Sequence, residues 1–114
     1  MLESIFVKIN QGGIMPAYII VEVEIHNHEE YEEYKKLVPA TLKQYGGKFI
    51  VRGGKTVTLE GNWTPERIVV IEFDNMEKAK AWWGSEEYSK AKKIRYNNAQ
   101  SKMILVEGMQ EIFV

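Results

Sequence analysis

Six side chains in this sequence could act on a small organic acid: Tyr34, Arg52, Glu60, Trp82, Tyr88 and Arg95. An arginine beside tyrosines and a tryptophan suits a small planar acid. The guanidinium grips a carboxylate or enolate with parallel hydrogen bonds, and the rings stack on the body of the molecule. In a dry pocket the same donors would stabilise a developing oxyanion. Glu60 and Glu72 add an acid/base option, because a glutamate on an apolar strand can have its pKa raised towards neutrality. The competing reading makes the aromatics core residues and pairs the arginines with Glu60, Glu72 or Glu107 to tie the fold together.

Other chemistries find less support. The chain has no cysteine, so disulfides, thiolate catalysis and cysteine-based metal sites are excluded. His26 and His28 have the spacing of two metal ligands on an extended segment, but they straddle a strand-to-helix junction and have no clear third ligand. No histidine falls in the body of a predicted helix to hold haem, and no phosphate-cradling glycine motif occurs: Gly53-Gly54 lacks the Lys-Ser/Thr that would follow it. No cofactor or metal is therefore expected. A formal net charge of −1 leaves no basic excess for nucleic acid or an anionic membrane. With no signal-peptide pattern and no long apolar run, a cytoplasmic protein is expected.

The elements that must position these residues follow from periodicity. Ala17 to Ile25 alternates as a strand, with Ala17, Ile19, Val21 and Val23 on one side and Tyr18, Ile20, Glu22 and Glu24 on the other. Asn27 and Glu30 form a capping-box pattern. Tyr31, Tyr34, Val38, Leu42 and Tyr45 then recur at helical spacing up to Gly46-Gly47, with Pro39 inside the helix predicting a kink or a short break near Val38. Lys48 to Arg52 and Thr56 to Glu60 read as extended pieces around Gly53-Gly54, and Arg67 to Phe73 as a third strand. Asp74 with Glu77 offers a second capping box for a helix burying Met76, Ala79 and Trp82 or Trp83. Gly84-Ser85 interrupts that helix before a second piece through Tyr88, Ala91 and Arg95, and Lys102 to Glu107 is the last strand.

This order predicts an α+β, ferredoxin-like βαββαβ fold, an antiparallel sheet with its helices on one face. The uncovered side of the first strand keeps Tyr18 and Ile20. The later strands are apolar on both sides, Ile68 and Val70 opposing Val69, Ile71 and Phe73, and Ile104 and Val106 opposing Met103 and Leu105, so whichever face is open carries an apolar surface that needs a cover. A second copy packed face to face would close a dimeric α+β barrel, so a homodimer through the sheet face is expected. The RRM shares this strand order. Its stacking aromatics are replaced here mainly by Ile and Val, which speaks against RNA.

Several pieces resemble a family of small proteins of unknown function in the dimeric α+β-barrel superfamily. They are Met15-Pro16-Ala17-Tyr18, Tyr45-Gly46-Gly47, Arg52-Gly53-Gly54, Leu59-Glu60-Gly61 with Trp63, Pro65 and Arg67, and Ile71-Glu72-Phe73. Ala81-Trp82, Ser85 with Glu87-Tyr88, Arg95 and Val106-Glu107-Gly108 continue the likeness to the end of the domain. Glu86 departs from the proline that the family often carries after the serine. The resemblance implies the fold but no reaction, since the wider superfamily holds cofactor-independent monooxygenases, lactone isomerases and haem-binding peroxidases.

Residues 15–114 are thus expected to form one domain. Residues 1–14 precede it as an added edge strand, with Ile5, Val7 and Ile9 alternating, or as a misplaced start, since Gln11-Gly12-Gly13-Ile14 is what a translated ribosome-binding site would encode. The leading functional expectation is a cofactor-independent, oxygenase- or isomerase-like protein acting on a small aromatic or enolic acid. A non-catalytic small-molecule-binding or regulatory module is the alternative.

Overall fold

The computed structural model describes residues 15–110. The elements run β1 (Ala17–Ile25), α1 (His28–Lys43), β2 (Lys48–Arg52), β3 (Arg67–Phe73), α2 (Met76–Trp83), α3 (Glu86–Asn98) and β4 (Ala99–Glu107). This is the expected α+β order, with its second helical segment divided at Gly84. The strands form one antiparallel sheet in the order β2-β3-β1-β4. The readings of Met1 to Ile14 lie outside the described residues.

Alternation along β1 and β3 decides which face is covered. Ala17, Ile19, Val21 and Val23 are buried beside Val69, Ile71 and Phe73, and the helices contribute Tyr31, Tyr34, Val38, Leu42, Ala79, Trp82, Tyr88 and Ala91 to the same core. The other face carries Ile20, Ile104 and Val106, which are 38%, 62% and 43% exposed, so the apolar surface anticipated from the alternation is present. The helix starts are fixed by side-chain caps: the Asn27 oxygen accepts from Glu30 N at 3.1 Å and the Ser85 hydroxyl from Tyr88 N at 3.1 Å.

Four expectations are corrected. The cap of α2 is Asn75, whose side chain accepts from Lys78 N at 2.9 Å, while Asp74 takes the Lys78 ammonium at 3.4 Å. Thr56 to Glu60 forms no strand. It belongs to an exposed irregular segment over residues 53–66, where its β-branched residues find no partner strand. The strand β4 begins at Ala99, three residues before the expected Lys102, because its first residues pair with the end of β1.

The fourth correction concerns the short break, one of the two outcomes expected near Val38: α1 runs through Pro39 without interruption. A proline at this position deprives the Lys35 carbonyl of its N–H partner four residues on. Arg52 replaces that donor: its Nη2 reaches the Lys35 oxygen at 2.7 Å. The reach depends on β2. Phe49 and Arg52 are three residues apart and would face opposite ways in a regular strand, but the register shifts between Phe49 and Val51. Both side chains therefore meet the helix side, with the Arg52 guanidinium 4.1 Å from the centre of the Phe49 ring.

Candidate functional site between the sheet and its helices

Four of the six candidate residues meet in one buried cluster. Trp82 stacks on Tyr88, ring centres 4.0 Å apart, and its indole N–H donates to Thr41 Oγ1 at 3.0 Å. The Tyr34 and Tyr88 hydroxyls are 2.7 Å apart. Arg95, only 4% exposed, donates from Nε to the Tyr88 hydroxyl at 3.3 Å and from Nη1 to Ser101 Oγ.

The chemistry of the donors orients this chain. A guanidinium has no acceptor, so the Tyr88 oxygen accepts from Arg95. Tyr88 is fully buried, and the acceptor within reach of its own proton is the Tyr34 oxygen. Tyr34 is left with a hydroxyl proton of its own to give. Burial, with Tyr88 beside it, pushes the Tyr34 phenol well above its ordinary pKa, so the proton stays on it through the neutral range.

Next to the cluster, α1, β2 and β3 leave a narrow slot. It is lined by apolar Val21, Val23, Val38, Val69 and Phe49 and by polar Tyr31, Tyr34, Lys35, Arg52 and Arg67, and its free volume is about 20 Å³. That is room for about one water molecule. Burial raises the Tyr31 phenol above its usual pKa, while the nearby Arg67 and Arg95 charges pull against that rise. The Nε of Arg67 is buried and has no hydrogen-bond partner among the described residues.

Arg67 and Ser101 face each other in register across Val23, so the Arg95 anchor and Arg67 occupy one row of the sheet, on the helix side. Arg52, Arg67 and Arg95 are all the arginines of the sequence, and all three serve this interlayer. No carboxylate among the described residues lies within ion-pair distance of any of them. The expected pairing of arginines with Glu60, Glu72 or Glu107 is therefore corrected.

The carboxylates go elsewhere. Glu60 is exposed in the 53–66 segment, apart from the cluster. Glu72 is on the open face, where it takes the Lys48 ammonium at 3.4 Å and the Tyr18 hydroxyl at 3.2 Å. His26 lies 3.4 Å from Glu24 and His28 opens α1, and no group of three potential metal ligands occurs among the described residues. Sequence reasoning passed over Arg67 and Tyr31 as site residues, although both carried a signal. Arg67 is two residues before Val69 on the inward side of β3, and Tyr31 precedes Tyr34 by three on the buried stripe of α1.

Comparison with known proteins places this geometry. No curated protein matches the sequence. A protein of unknown function from Rhodopseudomonas palustris superposes with a TM-score of 0.71 at 15% identity, covering 96% of this chain and 95% of its own. SnoaB, a cofactor-independent oxygenase from Streptomyces nogalater, gives 0.59 at 11% identity over 86% and 96% of the two chains. A dimeric protein of unknown function and ferredoxin-like fold from Bacteroides fragilis gives 0.53 at 16% identity over 82% and 95%. At these identities the likenesses establish the fold alone. Residues 16–109 match the model of a domain of unknown function, DUF1330, and the chain belongs to that family.

Proposed function

We propose that this protein binds a small aromatic or enolic acid between its sheet and α1, and that it works in the manner of a cofactor-independent oxygenase or isomerase. One observation carries the reading: three arginines are turned to the interlayer without a carboxylate among the described residues to neutralise them. The buried part of that charge, Arg95 at 4% exposed and the Nε of Arg67, is costly without a counter-charge, and an anionic ligand would relieve that cost. A site of donors and aromatic faces also favours an enolate over its neutral keto form, and an enolate is the species that is reprotonated elsewhere or reacts with dioxygen. The fold shared with SnoaB supports this type of chemistry by analogy.

The slot has room for about one water, so an acid enters by displacing a side chain at its rim. Arg52, exposed at the edge of the sheet, is the residue to move. In the same proposal a second copy covers the open sheet face, a reading that fits the dimeric relative of the same fold.

A second reading, binding without turnover, is favoured by the absence of any carboxylate or histidine among the slot-lining residues, which leaves no obvious general base. Thermal unfolding with benzoate, an arylpyruvate and a β-keto acid tests the shared premise. A saturable rise in melting temperature is expected from the acids and none from the matching amides, with stabilisation of about 2.7 kcal/mol at a hundred times Kd. If no acid raises the melting temperature, the proposal fails. Deuterium uptake from solvent at the α-carbon of a bound keto acid, or oxygen consumption, separates turnover from binding.

A further inference from the structure

We propose that Arg67, rather than the sequence candidates Arg52 or Arg95, anchors the anionic end of the ligand, and that the ligand group is a planar carboxylate taken side-on by Nε and Nη2. This rests on the acid-binding reading above and deepens it.

The three guanidiniums differ in what they have left to give. Arg95 spends Nε on Tyr88 and Nη1 on Ser101. Arg52 gives Nη2 to the Lys35 carbonyl that Pro39 leaves without a donor, and lies over Phe49. Arg67 keeps a buried Nε–H with no partner among the described residues, on the lining of the slot. A buried polar group left unsatisfied is uncommon in native structures, and on the lining of a slot it is a donor available to a further group.

The orientation of Arg67 is set from behind. Gly53 has a φ of +73°, its N–H donates to the Ile68 carbonyl at 2.8 Å, and a Cβ at this position would clash with Arg67 Nη1. The glycine lets the backbone press against the Nη1 end of the guanidinium. The opposite edge, Nε with Nη2, is a fork whose spacing matches the two oxygens of a carboxylate. The apolar rim of Val21, Val23, Val38, Val69 and Phe49 suits an organic body behind that carboxylate better than a fully hydrated tetrahedral anion.

The Nε–H signals of the arginines in a proton–nitrogen NMR spectrum, assigned with Arg→Lys variants, test this on the intact protein with sodium benzoate as probe and sodium phosphate in parallel. The expected result is a saturable shift of the Arg67 Nε–H with benzoate, a much smaller one with phosphate, and no shift of the Arg95 Nε–H. Gly53→Ala, which keeps every charge, should weaken benzoate binding at least tenfold. If benzoate raises the melting temperature but moves only the Arg52 or Arg95 signal, the acid site stands and the anchor assignment is wrong. If benzoate changes neither melting temperature nor spectrum, both fail. An equal response to phosphate would overturn the assignment of a planar carboxylate.

Discussion

Arg95 and Arg67 serve the same row of the sheet, one through Ser101 and the other directly, with Val23 between them, yet they are treated in opposite ways. Around Arg95 the donors identified find acceptors, apart from the Tyr34 hydroxyl at the end of the chain: Tyr88 and Ser101 take the guanidinium, Tyr34 takes the Tyr88 proton, and Thr41 takes the Trp82 indole. Around Arg67 the buried Nε–H has no acceptor among the described residues. A satisfied buried network holds a fold in one arrangement, whereas an unsatisfied one costs stability and is retained where something else compensates for it. The Arg95 side is therefore read as framework and the Arg67 side as the face offered to a ligand.

The largest effect should come from the framework. Trp82 is fully buried between Phe73 and Tyr88, ring centres 5.6 and 4.0 Å away. Trp82→Ala should cost about 3–5 kcal/mol in denaturant unfolding, and a loss below about 1 kcal/mol would show that the cluster is not what holds the layers together. Tyr88→Phe ranks next. It strands Arg95 Nε and the Tyr34 hydroxyl at once, so a loss of about 1–3 kcal/mol is expected. Tyr34→Phe removes only one end of the chain and should cost less than Tyr88→Phe. The reverse order would contradict the proton assignment.

A pH dependence follows from the same network. The Tyr34 pKa is raised in the folded state by burial and by Tyr88, so the folded protein binds the phenolic proton more tightly than the unfolded chain does. The resulting stability is fully present below the unfolded tyrosine value of about 10 and is lost as the pH rises beyond it towards the folded value. Unfolding midpoints measured from about pH 8 to pH 11 should fall steeply at the alkaline end, and less steeply in Tyr34→Phe. A variant with the same alkaline slope as the parent would place the responsible group elsewhere.

Much of this contrast was legible in the sequence, because it rests on periods and caps. Alternation in β1 and β3 assigns the core face, helical spacing puts Tyr34 inward, and Ser85 marks the start of α3. What was not legible depends on contacts between elements remote in sequence. Nothing local to Pro39 announces that an arginine from β2 will serve the carbonyl it frees, and the bulge that turns Arg52 inward is a property of strand pairing. Glu60 looked like a site residue because its neighbours resembled a strand. That stretch has no strand to pair with, and so leaves the carboxylate in an exposed segment.

The smallest predicted effect on stability is the sharpest test of the contrast, because its sign differs from the others. Replacing Arg67 with methionine removes a buried Nε–H that has no partner among the described residues and keeps a long apolar stem on the lining of the slot. An unsatisfied buried donor costs about 1–3 kcal/mol, so Arg67→Met should leave stability unchanged or raise it by up to about 1 kcal/mol while abolishing the thermal response to benzoate. The same substitution at Arg95 removes the donor that the Tyr88 oxygen and Ser101 accept from, and should destabilise the protein. If Arg67→Met instead unfolds the protein as Arg95→Met does, Arg67 belongs to the framework, and the division of the interlayer into a structural side and a ligand side fails.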